Sequence, residues 1–285
     1  MLRRFGNWEV ECDPDDGARL GRLAYRGCAL LTSSSQPFGP PAGDLGRYEL
    51  RPVYGYDDCM PTVSQCPLPS NSEVNVPDHG ELCWLPWRVS EGAEWLDCRV
   101  NSILLPGISF ARRMTFGPRA LVWDFTITND SLRDRQVMHV MHALMPPASI
   151  RAITLPEFAT MFDEAAMAEA PAVGPAAVAS ELLELPQGNF RMWLLRGIRQ
   201  GTFELALVSG PSLNVSFPLH LFGTLAIWWN RRGYPDESHL GRDECALEPC
   251  PGASSSLADA LKLGPVLNVR ASSSLSWQVR WDMNK

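Results

Sequence analysis

Lysine is nearly missing from this chain. Among 285 residues only Lys262 and Lys285 carry it, and the other basic side chains, histidine apart, are arginines. No lysine sits beside the segments singled out below, which removes Schiff-base catalysis by lysine there. Long apolar runs are also missing. None approaches the roughly 20 residues of a membrane helix, so no membrane partner is expected. The start, Met1 to Trp8, has two arginines but no apolar stretch behind them. It does not read as a signal peptide, and a cytoplasmic protein is expected. Cys12, Cys28, Cys59, Cys66, Cys83, Cys98, Cys245 and Cys250 include no C-x-x-C pair. They read as reduced thiols, with no structural zinc and no metal expected. A positive excess is missing too. The formal net charge is −7, which argues against a nucleic-acid-binding face. There is no solenoid repeat and no clear linker, so residues 1–285 read as one domain.

What is present is β pattern. Trp8–Cys12, Arg99–Leu105, Leu121–Thr128, Gln136–Leu144, Phe203–Val208, Thr224–Trp229 and Ser274–Trp281 read as strands, and Leu20–Leu31 as a hairpin around Arg26-Gly27. In the last strand Leu275, Trp277, Val279 and Trp281 share one face, and Ser276, Gln278 and Arg280 the other. That is the period of a half-buried antiparallel strand. Many short strands between Gly, Pro, Asn and Asp turns predict an all-β sandwich or barrel. Pro37–Gly43 reads as a loop. Residues 164–182 are alanine-rich, and Pro171 and Pro175 limit them to short helices. They read as an inserted segment rather than a flap over a cleft.

The densest chemistry lies in Pro77-Asp78-His79-Gly80-Glu81-Leu82-Cys83-Trp84-Leu85-Pro86-Trp87. Indoles such as Trp84 offer flat apolar faces that suit the C–H faces of a sugar. Carboxylates such as Glu81 accept hydrogen bonds from hydroxyls. An imidazole exchanges a proton near neutral pH. Further on, Glu248 follows a short apolar run and precedes Pro249, which places a carboxylate near a strand end.

Five pieces occur in a telling order: Tyr54-Gly55-Tyr56-Asp57-Asp58-Cys59-Met60-Pro61-Thr62; Asp78-His79-Gly80-Glu81-Leu82; Thr128-Asn129-Asp130-Ser131 followed by His142; Trp228 to Pro235; and Leu247-Glu248-Pro249. On these the chain resembles the aldose 1-epimerase (galactose mutarotase-like) superfamily, as a divergent branch. The resemblance implies a large twisted antiparallel β-sandwich, the galactose mutarotase-like supersandwich. It implies a small-molecule carbohydrate as partner. The implied reaction interconverts the anomers of a free aldose or sugar derivative, with no cofactor. It makes Glu248 the base, His142 the general acid, and His79 a second histidine that binds the sugar and polarises its ring oxygen. The chain departs from galactose mutarotases in lacking their early Asn/Gly/Arg-rich segment. It also has His142-Ala143-Leu144-Met145 where a His-Pro-Tyr-Phe would stand. Galactose is therefore not carried over.

Parity sharpens the choice of histidine. Met138, Val140, His142 and Leu144 share one strand face, and Val137, His139 and Met141 the other. His139 is expected to be a satisfied imidazole away from the cleft. Asp57 and Asp58 are candidate sugar ligands or turn formers, and only one of them can face a cleft. Of Arg112 and Arg113 one is a candidate ligand, taken as Arg113. Of Trp228 and Trp229 at least one belongs to the core, and Trp228 is taken for the cleft. Asp57, Asp58, Glu81, Trp84, Arg113 and Trp228 thus form the expected substrate-binding set. The alternative function is a non-catalytic carbohydrate-binding or sensing protein on the same fold.

Overall fold

Alternating apolar residues along one strand need a second apolar face, and the chain supplies it by packing antiparallel sheets. The computed structural model describes residues 2–33, 45, 48, 53–234 and 241–284. Pro37–Gly43 and His239 lie outside the described residues. The largest sheet has eight strands, ordered Ile150–Thr154, Thr202–Leu207, Ser212–Ser216, Ser273–Asn284, Ala120–Asn129, Ile108–Phe116, Trp95–Asn101 and Arg88–Glu91. Its long central pair sets Trp123 opposite Val279 and Phe125 opposite Trp277. On that face Trp277, Val279 and Trp281 are buried, while Ser276, Gln278 and Arg280 are exposed. The expected alternation is therefore present.

A second sheet orders Leu2–Phe5, Trp8–Asp13, Arg19–Tyr25, Tyr56–Cys59 and Val140–Ala143, with Cys28–Ala29 attached to the third of these. Trp8, Val10, Leu20, Leu23 and Tyr56 project from it into the same core as Trp123 and Phe125. A third sheet orders Ala168–Glu169, Thr160–Asp163, Asn189–Arg196, Thr224–Arg231 and Asp243–Cys250. The second and third sheets are stitched where Met145 and Cys245 exchange backbone hydrogen bonds of 2.7 and 2.8 Å.

Two expected strands come out differently. Gln136–Leu144 is split into Arg135–Val137, which pairs with Leu267–Val269, and Val140–Ala143, which pairs with Tyr56–Cys59. Between them the Met138 N–H turns to Pro61 O at 2.9 Å. The strand expected at Arg99–Leu105 starts earlier and ends at Asn101. Residues 103 and 104 leave the ladder because they give their N–H groups to Glu81.

The alanine-rich segment holds a helix only over Pro175–Leu183, with the proline at its first turn, where no N–H is needed. Val178, Ala179 and Leu182 bury one side of it. Among the described residues no helix is long and apolar enough to cross a membrane.

Candidate functional site

Three strands of the third sheet make the wall of a cavity of about 250 Å³. Side chains two apart on a strand share a face. Phe190, Met192 and Leu194 come from one strand, Ala226 and Trp228 from the next, and Glu244, Glu248 and Cys250 from the third. The register sets Met192 beside Trp228 and Ala226 beside Glu248. Trp229 points the other way into the core.

The opposite wall is the edge of the second sheet, where Val140 and His142 face the cavity. His142 is paired with Asp57 and Val140 with Cys59, so all four side chains share one face. Met141 and its partner Asp58 share the other face. His139 also lies on the core side. Its Nε2 is 2.9 Å from Asp58 Oδ1, among Phe110, Phe125 and Trp277. The two histidines therefore separate as parity requires.

His79 enters from a turn. It has φ +62° and is followed by Gly80 at φ +70°. A Cβ on Gly80 would stand 2.1 Å from Met60 O, so only glycine fits there. The turn delivers the His79 ring to 4.8 Å from the His142 ring, centroid to centroid. Tyr48 lies flat on the His79 ring, with centroids 3.6 Å apart. Asp78 Oδ2 stands 3.1 Å from His79 Nδ1.

His142 Nδ1 lies 3.1 Å from Glu248 Oε1, and both side chains are more than nine-tenths buried. Burial, reinforced by the Glu164 carboxylate, pushes Glu248 up to about 8. Burial, with His79, Arg19 and Arg242 nearby, holds His142 well below the usual imidazole range. At neutral pH the free pair therefore keeps its proton on the carboxyl and leaves the imidazole bare. The roles implied by the resemblance, Glu248 as base and His142 as acid, start the proton on the other partner. A buried carboxylate without a cation in contact is the more costly state.

Several expected sugar ligands are placed elsewhere. Asp58 is fully buried, paired with Arg112 and His139 and accepting the Tyr56 hydroxyl at 2.6 Å. Asp57 is on the cavity side but is covered. It accepts the Tyr48 hydroxyl at 2.8 Å and pairs with Arg19 at 2.8 Å. Glu81 takes the N–H groups of Ile103 and Leu104 at 2.8 and 3.0 Å and the Ser102 hydroxyl. It ties down a loop, and its lone pairs are used there. Trp84 stands edge-on behind Tyr48 and does not line the cavity. Arg113 is exposed on the eight-stranded sheet, with its guanidinium 4.2 Å above the Trp95 ring. Arg112 is buried in the Asp58 network. Trp228 does line the cavity, and its Nε1 donates to Glu244 Oε1 at 3.2 Å.

Other lining residues gave no signal in the sequence. Glu164, the first residue of the alanine-rich segment, lines the cavity and accepts from Ser255 N and Oγ, both at 2.9 Å. Arg242 also lines it and donates to Glu244 at 2.9 Å. Glu244 alone was findable, since it stands four residues before Glu248 on the same strand face. Among the described residues one group could hold a metal ion. Donor atoms of Cys59, His79 and His142 all lie within 4.8 Å of one another.

No family model and no curated protein matches the sequence. Solved structures do match. A galactose mutarotase-like protein of Clostridium acetobutylicum superposes with a TM-score of 0.69 at 13% identity, over 100% of this chain and 95% of that one. A galactose mutarotase related enzyme of Lactobacillus acidophilus gives 0.68 at 10% identity, over 100% and 97%. A protein of Synechocystis sp. PCC 6803 gives 0.73 at 18% identity, over 99% and 94%. The likeness runs the length of both partners in each pair, and the fold of this chain is the galactose mutarotase-like β-sandwich.

Proposed function

We propose that the protein is a cofactor-independent aldose 1-epimerase acting on a small free sugar. The observation that carries this reading is the contact of His142 Nδ1 with Glu248 Oε1 at 3.1 Å inside the cavity. A volume of about 250 Å³ falls just under the range of roughly 300–1,000 Å³ typical of drug-sized ligands, which suits a monosaccharide. Trp228 and Phe190 supply apolar faces for the C–H side of a ring.

Anomer exchange needs one base and one acid. The base takes the proton of the anomeric hydroxyl, and the acid gives a proton to the ring oxygen as the C1–O5 bond breaks. C1 then rotates, and closure returns both protons on the opposite face. His142 and Glu248 hold one proton between them, which is what this sequence requires. In the free cavity Glu248 holds it and starts as the acid, with neutral His142 as the base. After ring opening the roles are exchanged. His79, with its ring centroid 4.8 Å from that of His142, takes the role of hydrogen-bonding the ring oxygen or its neighbouring hydroxyl in this reading.

The test is saturation-transfer NMR on a panel of free aldoses with the wild-type protein. Accelerated exchange between α and β anomers of one sugar supports the reading. Binding of a sugar with no acceleration turns the protein into a carbohydrate-binding module and rejects it.

A further inference from the structure

We propose that Cys59, His79 and His142 form a binding site for a borderline-soft divalent cation of the zinc type, and that metal held there shuts the cavity to sugar chemistry. The first half stands on geometry alone. The second rests on the epimerase reading.

The three donors come from distant parts of the chain and meet because of strand register. Cys59 is two residues from Asp57, the partner of His142, so its side chain projects from the same face as His142. Its side chain is fully buried. Donor atoms of all three residues lie within 4.8 Å of one another. Zinc binds sulfur at about 2.3 Å and imidazole nitrogen at about 2.0–2.1 Å, which puts donors roughly 3.3–3.6 Å apart on a tetrahedron. A contraction of about an ångström therefore closes the site.

Surrounding groups fit the same role. Neither His142 nitrogen nor Glu248 Oε1 has a hydrogen-bond partner among the described residues, although all three atoms are buried. Glu248 Oε1, 3.1 Å from His142 Nδ1, stands ready as a fourth donor or as an acceptor for a bound water. Asp78 Oδ2 stands 3.1 Å from His79 Nδ1 without a hydrogen bond between them, and a small turn of the ring would set it as the carboxylate behind a ligating imidazole and leave Nε2 for the metal. One sulfur and two imidazole nitrogens select zinc-like ions over magnesium or calcium, which prefer oxygen. Binding displaces the thiol proton to solvent, and the Glu248 carboxyl proton as well where that oxygen ligates, and changes no oxidation state. It also occupies the nitrogens on which the proton exchange depends.

The test strips the protein with a chelator and titrates it with Co²⁺. A thiolate-to-cobalt charge-transfer absorption that saturates at one equivalent is expected in the wild type. It should be displaced by Zn²⁺ and be lost in Cys59→Ala. Cys28 is the one cysteine of the eight that is not buried, and Cys28→Ser should keep the band. In the anomerisation assay, stoichiometric Zn²⁺ should slow the wild type at least about tenfold and affect Cys59→Ala far less. No band at one equivalent in the wild type overturns the proposal without relying on any variant. A band that survives Cys59→Ala, or vanishes with Cys28→Ser, overturns it as well. Because the absorption is read without a sugar, failure of the metal site and failure of the epimerase reading are seen separately.

Discussion

Tyr48 lies flat against His79, with ring centroids 3.6 Å apart and planes 10° from parallel. Its hydroxyl donates to Asp57, which Arg19 also holds. The stack fixes the imidazole against the cavity, and the hydroxyl anchors the stack. Tyr48→Phe keeps the ring and removes one partner from a buried carboxylate, so it should cost about 1–3 kcal/mol of stability. Tyr48→Leu removes the flat support and should also lower kcat. Urea unfolding and anomerisation kinetics on the two variants separate these effects.

Glu248→Gln keeps the size of the side chain but cannot exchange the proton. The anomerisation rate should fall about 10²–10⁴-fold, with sugar affinity little changed. His142→Asn should behave alike. His139→Asn should retain most of the rate per folded molecule while losing stability, because Asp58 and Arg112 lose a partner in the core. Polarimetry alongside thermal unfolding distinguishes the two histidines. A large rate loss in His139→Asn without unfolding would reject their assignment.

The pH dependence follows from the buried pair, measured in chelator so that no metal intervenes. The kcat/KM profile should fall as pH rises through about 8, where Glu248 gives up its proton. The acid limb should lie well below pH 6.5, because His142 is held low. A profile centred on an ordinary histidine, falling between pH 7 and 6, contradicts this.

Stability carries its own signature. The folded value of Glu248 is raised from 4.5 to about 8. Its contribution is therefore full below about pH 4.5 and is lost as pH climbs through about 8, on the order of a few kcal/mol. His142 runs the other way, since its depressed folded value adds stability above pH 6.5 that is lost on acidification. Glu248→Gln removes only the first contribution. The Tm of wild type minus that of Glu248→Gln should decline steadily from pH 5 to pH 9.

Glu81 and Arg113 give two contrasting expectations. Glu81→Gln strips two backbone N–H groups and a hydroxyl of a charged acceptor. It should cost about 2 kcal/mol or more and leave sugar affinity per folded molecule intact. Arg113→Ala removes an exposed cation over Trp95 and should cost at most about 1 kcal/mol. Calorimetric sugar binding by either variant at a tenth of the wild-type affinity would put that residue back at the cavity.

Sequence periodicity carried most of this fold, because period two survives wherever one strand face is buried. The Ser273–Asn284 strand and the opposed faces of His139 and His142 were legible for that reason. Residues whose role depends on tertiary approach were not. Asp57, Asp58 and Glu81 look alike as acidic residues beside turns. What separates them from Glu248 is the arginines, hydroxyls and N–H groups that fold onto them from residues 19, 112 and 102–104. Arg112 and Arg113 are adjacent, and strand pleat sends one to the core and the other to solvent. Glu164 sits in an alanine-rich run with no periodic mark, and only the hairpin beside it brings it to Ser255.

His142 and Glu248 belong to different sheets, joined where Met145 meets Cys245. Neither sheet alone holds a competent proton-exchange pair, and the two residues are separated by more than a hundred positions in the chain. Between Met145 and Cys245 the two sheets are held by a single pair of backbone hydrogen bonds outside the regular ladders. On the epimerase reading, activity gauges whether the seam between the sheets is closed. Under mild denaturant, local opening at this seam should abolish that activity before most of the β signal is lost.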